Sequence, residues 1–338
     1  MMKTILSRLA EGRDLTSSQA QEAMDLLASG QASEGQTGAF LAALRLKGET
    51  AEEIAAFGQL LRRYAVCISP RVAGPLVDTC GTGGDGSGTF NISTAAALVA
   101  AGAGIPVVKH GNRRVSSSCG SADVLEELGV KVDLPPEIVS RMVEEIGIGF
   151  LFAPSYHPVL KYASTVRRDL GFSTVFNLLG PLVNPADASA RLLGVYDPGL
   201  VQTIALTLRI LGAERAMVVH GDGLDEITVS GETSVAELRC DRIWSYTVTP
   251  EMFGFSRSPR ASLQGRFPRE NAAIIRDILQ DVEGPCRDVV IMNAAAAIYL
   301  GGRANTHEEG ISLAERSICT GAAYGKLEAM IIHSRGET

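Results

Sequence analysis

The sequence predicts an α/β fold in which a small all-helical N-terminal domain is hinged to a larger α/β domain with a central, largely parallel sheet flanked by helices. Three observations predict it. The first roughly 65 residues carry only helix-period apolar patterns and helix caps. The run Ile68-Ser69-Pro70-Arg71-Val72-Ala73-Gly74-Pro75 then has the proline and glycine content of a linker. Beyond it, short β-like runs alternate with helical patterns, as parallel sheets require. The chain divides accordingly into a helical domain over 1–72 and an α/β domain over 73–338.

Composition sets the frame for function. With 338 residues, 46% of them apolar, and 31 Lys+Arg against 38 Asp+Glu for a net charge of −7, the chain has an ordinary globular composition and enough apolar residues for a sizeable core. Disordered and fibrous classes are excluded. A general basic field for nucleic acid is absent, so any anion site must be local. No apolar stretch reaches the roughly 18 residues that span a bilayer, and Met1-Met2-Lys3 leads directly into a helical pattern, so a cytoplasmic protein with no membrane partner is expected. The six cysteines are scattered without a C-x-x-C pair, which reads as buried reduced thiols. Trp244 and the other aromatic residues are assigned to packing.

In chain order, Thr16 with Gln19 forms a capping box ahead of a helical face made by Ala20, Ala23, Met24 and Leu27, ending before Gly30. A second helix is expected over 34–47, with Phe40, Leu41 and Leu44 as its stripe and Gly48 as its stop. A third follows over 51–64. The strand candidates are 76–80, 105–108, 149–152, 191–196 and 215–220, and in such sheets ligands bind outside the carboxyl ends of the strands.

The loop after the first strand contains Gly81, Gly83, Gly84, Gly86 and Gly88 within eight residues, ahead of an Ala-rich helix over 95–103. Glycine lets backbone N–H groups approach an anion, and Ser93 or a neighbour is expected to cap the helix. Gly81-x-Gly83-x-x-Gly86 matches the dinucleotide fingerprint in letters only. Its third glycine does not open the helix, Asp85 would sit in the pyrophosphate cradle, and the second strand ends in Lys109-His110 rather than an acid. No Gly-Lys-Ser/Thr follows, which excludes the triphosphate P-loop. The second loop, 109–123, carries Lys109, Arg113 and Arg114 with Ser116, Ser117, Ser118 and Ser121, a cation and hydroxyl set suited to a polyphosphate. Asp225-Glu226, just past another strand, suits Mg²⁺ shared with phosphate oxygens. Arg167 and Arg168 cannot share a helix face, so one can enter a cleft, where a guanidinium holds a carboxylate.

These motifs together closely resemble the anthranilate phosphoribosyltransferase family of tryptophan biosynthesis. The resemblance rests on Gly81-Thr82-Gly83-Gly84-Asp85, Asn91-Ile92-Ser93-Thr94, Lys109-His110-Gly111-Asn112-Arg113, Cys119-Gly120-Ser121-Ala122-Asp123, Asn177-Leu178-Leu179-Gly180-Pro181-Leu182 and Leu224-Asp225-Glu226. It runs nearly end to end. It implies transfer of the phosphoribosyl group of phosphoribosyl pyrophosphate to the amine of anthranilate, with pyrophosphate released. It places Gly81, Gly84, Asp85, Thr89 and Asn91 to Thr94, Ile92 and Ser93 included, around the donor. The second loop joins them through Lys109, His110, Gly111, Asn112, Arg113, Arg114, Val115, Ser116, Ser117 and Ser121. Ser93, Asp225 and Glu226 would hold two Mg²⁺ ions. Gly81, His110, Asn112, Arg167, Gly180 and Pro181 would face anthranilate, with Arg167 on its carboxylate and Gly180-Pro181 shaping the aromatic entrance; Lys109, Asn112 and Arg167 would be catalytic.

The resemblance further implies a homodimer formed through the helical part, which helices around 165–190 would rejoin, and leaves open association with another tryptophan-pathway enzyme. One position departs from the family pattern: Ser173 stands where arginine is more frequent, which bears on the hinge or the aromatic site, and Arg168 could compensate. Pyrimidine nucleoside phosphorylases share the implied fold but have different loops, and the nucleic-acid-binding relatives call for a basic surface that this chain lacks. His157 is read as structural.

Overall fold

The computed structural model describes residues 1–114 and 118–336, so Val115, Ser116 and Ser117 lie outside it. The chain opens with α1 (Met2–Ala10), α2 (Ser17–Ala28), α3 (Glu34–Lys47) and α4 (Ala51–Tyr64). The last three begin with the same device. Thr16, Ser33 and Thr50 each accept a bond from the amide three residues on, while Gln19, Gln36 and Glu53 reach back to the cap amide. Glu53 is fully buried because its other oxygen accepts the Leu15 amide at 2.8 Å and Lys47 pairs with it at 2.8 Å. Gly48 ends α3 at φ 84°, a left-handed angle that favours glycine.

After an irregular stretch the chain lays down β1 (Val77–Gly81), α5 (Ile92–Gly102), β2 (Val107–Gly111), α6 (Ser121–Leu128), α7 (Pro136–Ile146) and β3 (Ile148–Phe152). It crosses back to the helical side as α8 (Ala153–Tyr156), α9 (Lys161–Leu170) and α10 (Val175–Leu182). It then returns as β4 (Ala190–Gly194), α11 (Leu200–Ile210), β5 (Arg215–Gly221), β6 (Thr233–Arg239) and β7 (Arg242–Val248). Four helices finish it: α12 (Pro268–Leu279), α13 (Pro285–Leu300), α14 (His307–Cys319) and α15 (Ala322–Arg335).

The sheet order is β3-β2-β1-β4-β5-β6-β7, parallel through β5 and antiparallel after it. The order reverses between β1 and β4, whose ends pair Gly81 with Gly194. That junction is the crevice where an open α/β sheet binds ligands. Alternation along the strands divides the core: Leu192, Met217 and Val219 join the cluster under α5 and α13, whereas Leu193, Ala216 and Val218 join the cluster containing the N-terminal helices. Ala163 and Val166 of α9 and Val175, Phe176 and Leu179 of α10 belong to that second cluster.

Four expectations are corrected. The helix expected over 95–103 starts at Ile92, and its cap, Asn91, makes no side-chain capping bond; its amide donates to the Cys119 carbonyl and accepts from Asn271. The β6–β7 hairpin extends the sheet beyond the five expected strands. Of the six cysteines only Cys80 and Cys119 are buried; Cys67, Cys240 and Cys319 are exposed because they fall in the linker, the hairpin turn and a last helical turn. Trp244 is 45% exposed, because β7 is the edge strand and turns this face to solvent.

Candidate active site

Three segments meet at the β1/β4 junction. Asp225 packs so closely that a methyl group on Gly81 would overlap its carboxylate, and one on Gly194 its carbonyl. The Gly83 amide donates to Asp225 Oδ2 at 2.7 Å, the Asp225 amide to Asp85 Oδ2 at 3.4 Å, and the Ser93 amide to Glu226 Oε1 at 3.2 Å. Lys109, 4% exposed on β2, reaches the Thr79 carbonyl at 2.5 Å and the Ser93 hydroxyl at 3.1 Å. The acid pair and the glycine loop, far apart in sequence, therefore form one site with the lysine in its floor.

Burial, reinforced by Asp85, pushes the Asp225 carboxyl up to about 7. Burial and Asp225 push Glu226 well above the usual carboxylate range. Burial lowers Lys109, opposed by Asp78, Cys80 and the acid pair. Buried carboxylates that resist ionising alone suit a divalent cation that takes the place of their protons. Among the described residues no group of three or more His, Cys, Asp or Glu could hold a metal ion. Two carboxylates and the Ser93 hydroxyl are instead the partial oxygen set that Mg²⁺ completes with water and phosphate oxygens. The residues present fit the ion.

The rest of the second loop is differently disposed. Arg113 is committed to Glu126, with Nη2 at 2.8 Å from Oε1, and lies over the Phe152 ring. Ser121 donates to the Asn112 carbonyl at 3.4 Å. Ser87 and Thr89 pair through their hydroxyls at 3.2 Å. Ile92 and Thr94 are buried at the start of α5, and the Thr94 hydroxyl has no partner there. Gly111 is needed because any Cβ would meet Ser121 and Phe150. Expectations on Val115, Ser116 and Ser117 lie outside the described residues.

Beside this site opens a cavity of about 830 Å³, lined among others by Asn112, Arg114, His157, Arg167, Arg168, Phe172, Ser173 and Asn177. A methyl group on Gly84 would approach the Ser173 hydroxyl to 3.3 Å, so the cavity abuts the glycine loop. Arg167 lies half-buried with its guanidinium 5.2 Å from the Phe176 ring centre, while Arg168 is exposed. Gly180 and Pro181 are not lining residues; they form the inner end of α10.

His110 donates through Nδ1 to the Gly180 carbonyl at 3.1 Å, and His157 through Nε2 to the Val183 carbonyl at 3.0 Å. A carbonyl only accepts, so both tautomers are set. The rings tilt together at 5.1 Å. Burial lowers His110 to about 4, and burial with the neighbouring His110 lowers His157 to about 3. Both therefore stay neutral at pH 7. The unfolded chain protonates these rings near 6.5, so stability present above that pH is lost as pH falls toward about 4. His110 accounts for roughly 3 kcal/mol of that loss at about 1.4 kcal/mol per pH unit. The raised carboxyls of Asp225 and Glu226 gain stability over the same range, so the histidine contribution is read as a difference: between about pH 6.5 and about pH 4 the thermal midpoint of the wild type should fall relative to that of His157→Gln; parallel profiles would remove His157 from this account.

Sequence reasoning left out Gly194 and Asn184; His157, read as structural, also lines the cavity. Asn184 donates to Asp78 Oδ2 at 2.7 Å and the Val108 carbonyl at 2.8 Å, tying the chain after α10 to β1 and β2. The adjoining Pro185 was its only sequence signal.

Comparison with known proteins matches both halves. Residues 3–65 fit the "Glycosyl transferase family, helical bundle domain" and residues 73–324 the "Glycosyl transferase family, a/b domain". Fold and site thus define a glycosyl transferase built from a helical bundle and an α/β domain. An anthranilate phosphoribosyltransferase of Methanocorpusculum labreanum is 55% identical over 100% of this chain and 99% of its own. The crystal structure of the Thermus thermophilus enzyme superposes with a TM-score of 0.93 at 43% identity, covering 98% of this chain and 99% of that one. The Saccharomyces cerevisiae enzyme in complex with PRPP and Mg matches with a TM-score of 0.90 at 29% identity, over 99% of this chain and 98% of that one. Its complex with 4-fluoroanthranilate gives 0.88 at 29% identity, over 99% of both chains. The chain belongs to the anthranilate phosphoribosyltransferase family.

Proposed function

We infer that this chain transfers the phosphoribosyl group of phosphoribosyl pyrophosphate to the amine of anthranilate, giving N-(5-phosphoribosyl)anthranilate and pyrophosphate in tryptophan biosynthesis. The observation that carries this reading is the junction of a glycine loop and a largely buried acid pair with a cavity that holds a half-buried guanidinium.

The aromatic amine is already a neutral nucleophile at pH 7, so the barrier lies in breaking the C1–O bond to pyrophosphate. Catalysis is accordingly positional and electrostatic. Lys109 spends two N–H groups on Thr79 and Ser93, and the third would meet the charge growing on the leaving oxygen. Amides of the glycine loop would cradle the phosphates. Asp225, Glu226 and Ser93 would hold Mg²⁺, two ions in our reading, and the metal when bound neutralises pyrophosphate charge. Asn112 would orient the amine toward C1, while Arg167 takes the acceptor carboxylate and Phe176 backs its guanidinium. Gly81, Gly84, Asp85, Thr89, Gly111, Arg114 and Ser121 complete the donor surroundings. Asn91, whose amide joins Cys119 to Asn271, would hold the two loops together. A division near residue 72, with α9 and α10 joined to the helical part, a homodimer and a cytoplasmic setting belong to the same proposal.

The test is anthranilate fluorescence followed with protein, phosphoribosyl pyrophosphate and Mg²⁺, each omitted in turn. Decay only when all are present supports the reading; stasis with the complete mixture overturns it. Arg167→Ala should raise the anthranilate KM roughly tenfold or more, with kcat changed far less, the pattern of binding shared by ground and transition states. Unchanged saturation by anthranilate would take the carboxylate away from Arg167.

A further inference from the structure

The inner end of α10 is held in an unusual way. A helix leaves its last carbonyls without intrahelical partners, and its dipole makes that end negative. Here four consecutive carbonyls each receive a side-chain donor from a different part of the chain. Gly180 takes His110 of β2 at 3.1 Å, Pro181 takes Arg191 of β4 at 3.1 Å, Leu182 takes Arg62 of α4 at 3.2 Å, and Val183 takes His157 at 3.0 Å. Arg191 is 1% exposed and spends its Nε on another carbonyl, that of Ala188, at 3.0 Å. Arg62 also reaches the Leu211 carbonyl at 3.2 Å and Asp187 at 3.3 Å. The buried Arg191 guanidinium is compensated by these carbonyls, one of them at the negative pole of a helix, and by the nearby Asp78 carboxylate.

We propose that Arg191 and Arg62 are positioning residues of the acceptor site. They pin α10 from the sheet and from the helical bundle together, and α10 in turn places Asn177 in the cavity wall and Phe176 behind Arg167. This rests on the reading that the cavity takes anthranilate. Neither arginine lines the cavity, so each acts through the helix.

The experiment uses Arg62→Met, which keeps most of the stem, and Arg191→Lys, which keeps the charge but loses the fork. Three quantities are measured: deuterium uptake of peptides covering 175–186, the anthranilate KM, and the affinity for phosphoribosyl pyrophosphate with Mg²⁺ by calorimetry. In both variants uptake should rise and the anthranilate KM should increase about tenfold, as loss of a charged hydrogen bond allows, while donor affinity stays within about twofold. Unchanged uptake would show that the helix is not pinned by these residues. Raised uptake with an unchanged KM, or equal weakening of both substrates, would reduce them to general stability and overturn the proposal. If the wild-type protein does not consume anthranilate, it is the transferase reading that falls, and the pinning itself is judged by deuterium uptake.

Discussion

Replacing Lys109 by methionine is expected to lower kcat by roughly a hundredfold to a thousandfold, the cost of removing one preorganised donor from a site where charge develops. The methionine keeps the length of the stem, so packing between β1 and β2 survives while the ammonium at Thr79 and Ser93 is lost. Asp78, and after it Glu226 and Asp225, then lose a neighbouring cation, and the folded protein should also be less stable, by about 3–5 kcal/mol at most, the cost of breaking a buried pair by removing one partner. Initial rates of anthranilate consumption at saturating substrates, on protein verified as folded by circular dichroism, decide the matter. A kcat within about tenfold of wild type would remove Lys109 from the leaving-group chemistry.

The second large effect is expected at a residue with no functional group. In Gly194→Ala the added carbon would occupy the position of the Asp225 backbone, so the 225–226 turn must move away from β1 and β4. Calorimetry should show binding of phosphoribosyl pyrophosphate with Mg²⁺ weakened by about a hundredfold or more, because a displacement on the order of 1 Å is enough to cost that much. Gly35→Ala, on an outer face of α3 with open space around its Cβ, is the control and should bind as wild type does. Intact donor binding by Gly194→Ala would mean that the acid pair does not need its seat between the strand ends.

Much of this architecture is written locally. The three capping boxes give α2, α3 and α4 their starting points in short stretches of sequence, and the five parallel strands are apolar runs that end in loops of distinctive composition. The hairpin escaped because its turn, Cys240-Asp241, adopts left-handed φ angles of 50° and 58° without the glycine or asparagine that usually announces one. The start of α5 lies ahead of the expected residue because Asn91 spends its amide on distant partners, Cys119 and Asn271, rather than on a cap that local sequence would announce. The site was legible wherever a motif carries its own chemistry, as in the glycine loop, the Lys109 loop and the acid pair. It was not legible where only distance in the fold creates the role. Nothing local to Gly194 says that Asp225 will rest on it, and nothing near Arg62 or Arg191 points to carbonyls of α10. Arg113, by contrast, carries the right charge for a phosphate, yet Glu126 on the next helix holds it.

The seating of Asp225 against Gly81 and Gly194 has a consequence for how such a protein can change. The acids proposed to face the metal rest on main chain, and main chain does not vary when neighbouring side chains are exchanged. The donor half is thereby insulated from drift in its surroundings, while remaining intolerant of a single carbon at either glycine. The cavity wall at Phe172 and Ser173 is made of side chains and carries no such restriction. Selection for a new aromatic acceptor would therefore accumulate its changes along that wall, with the phosphate-handling half carried through unaltered.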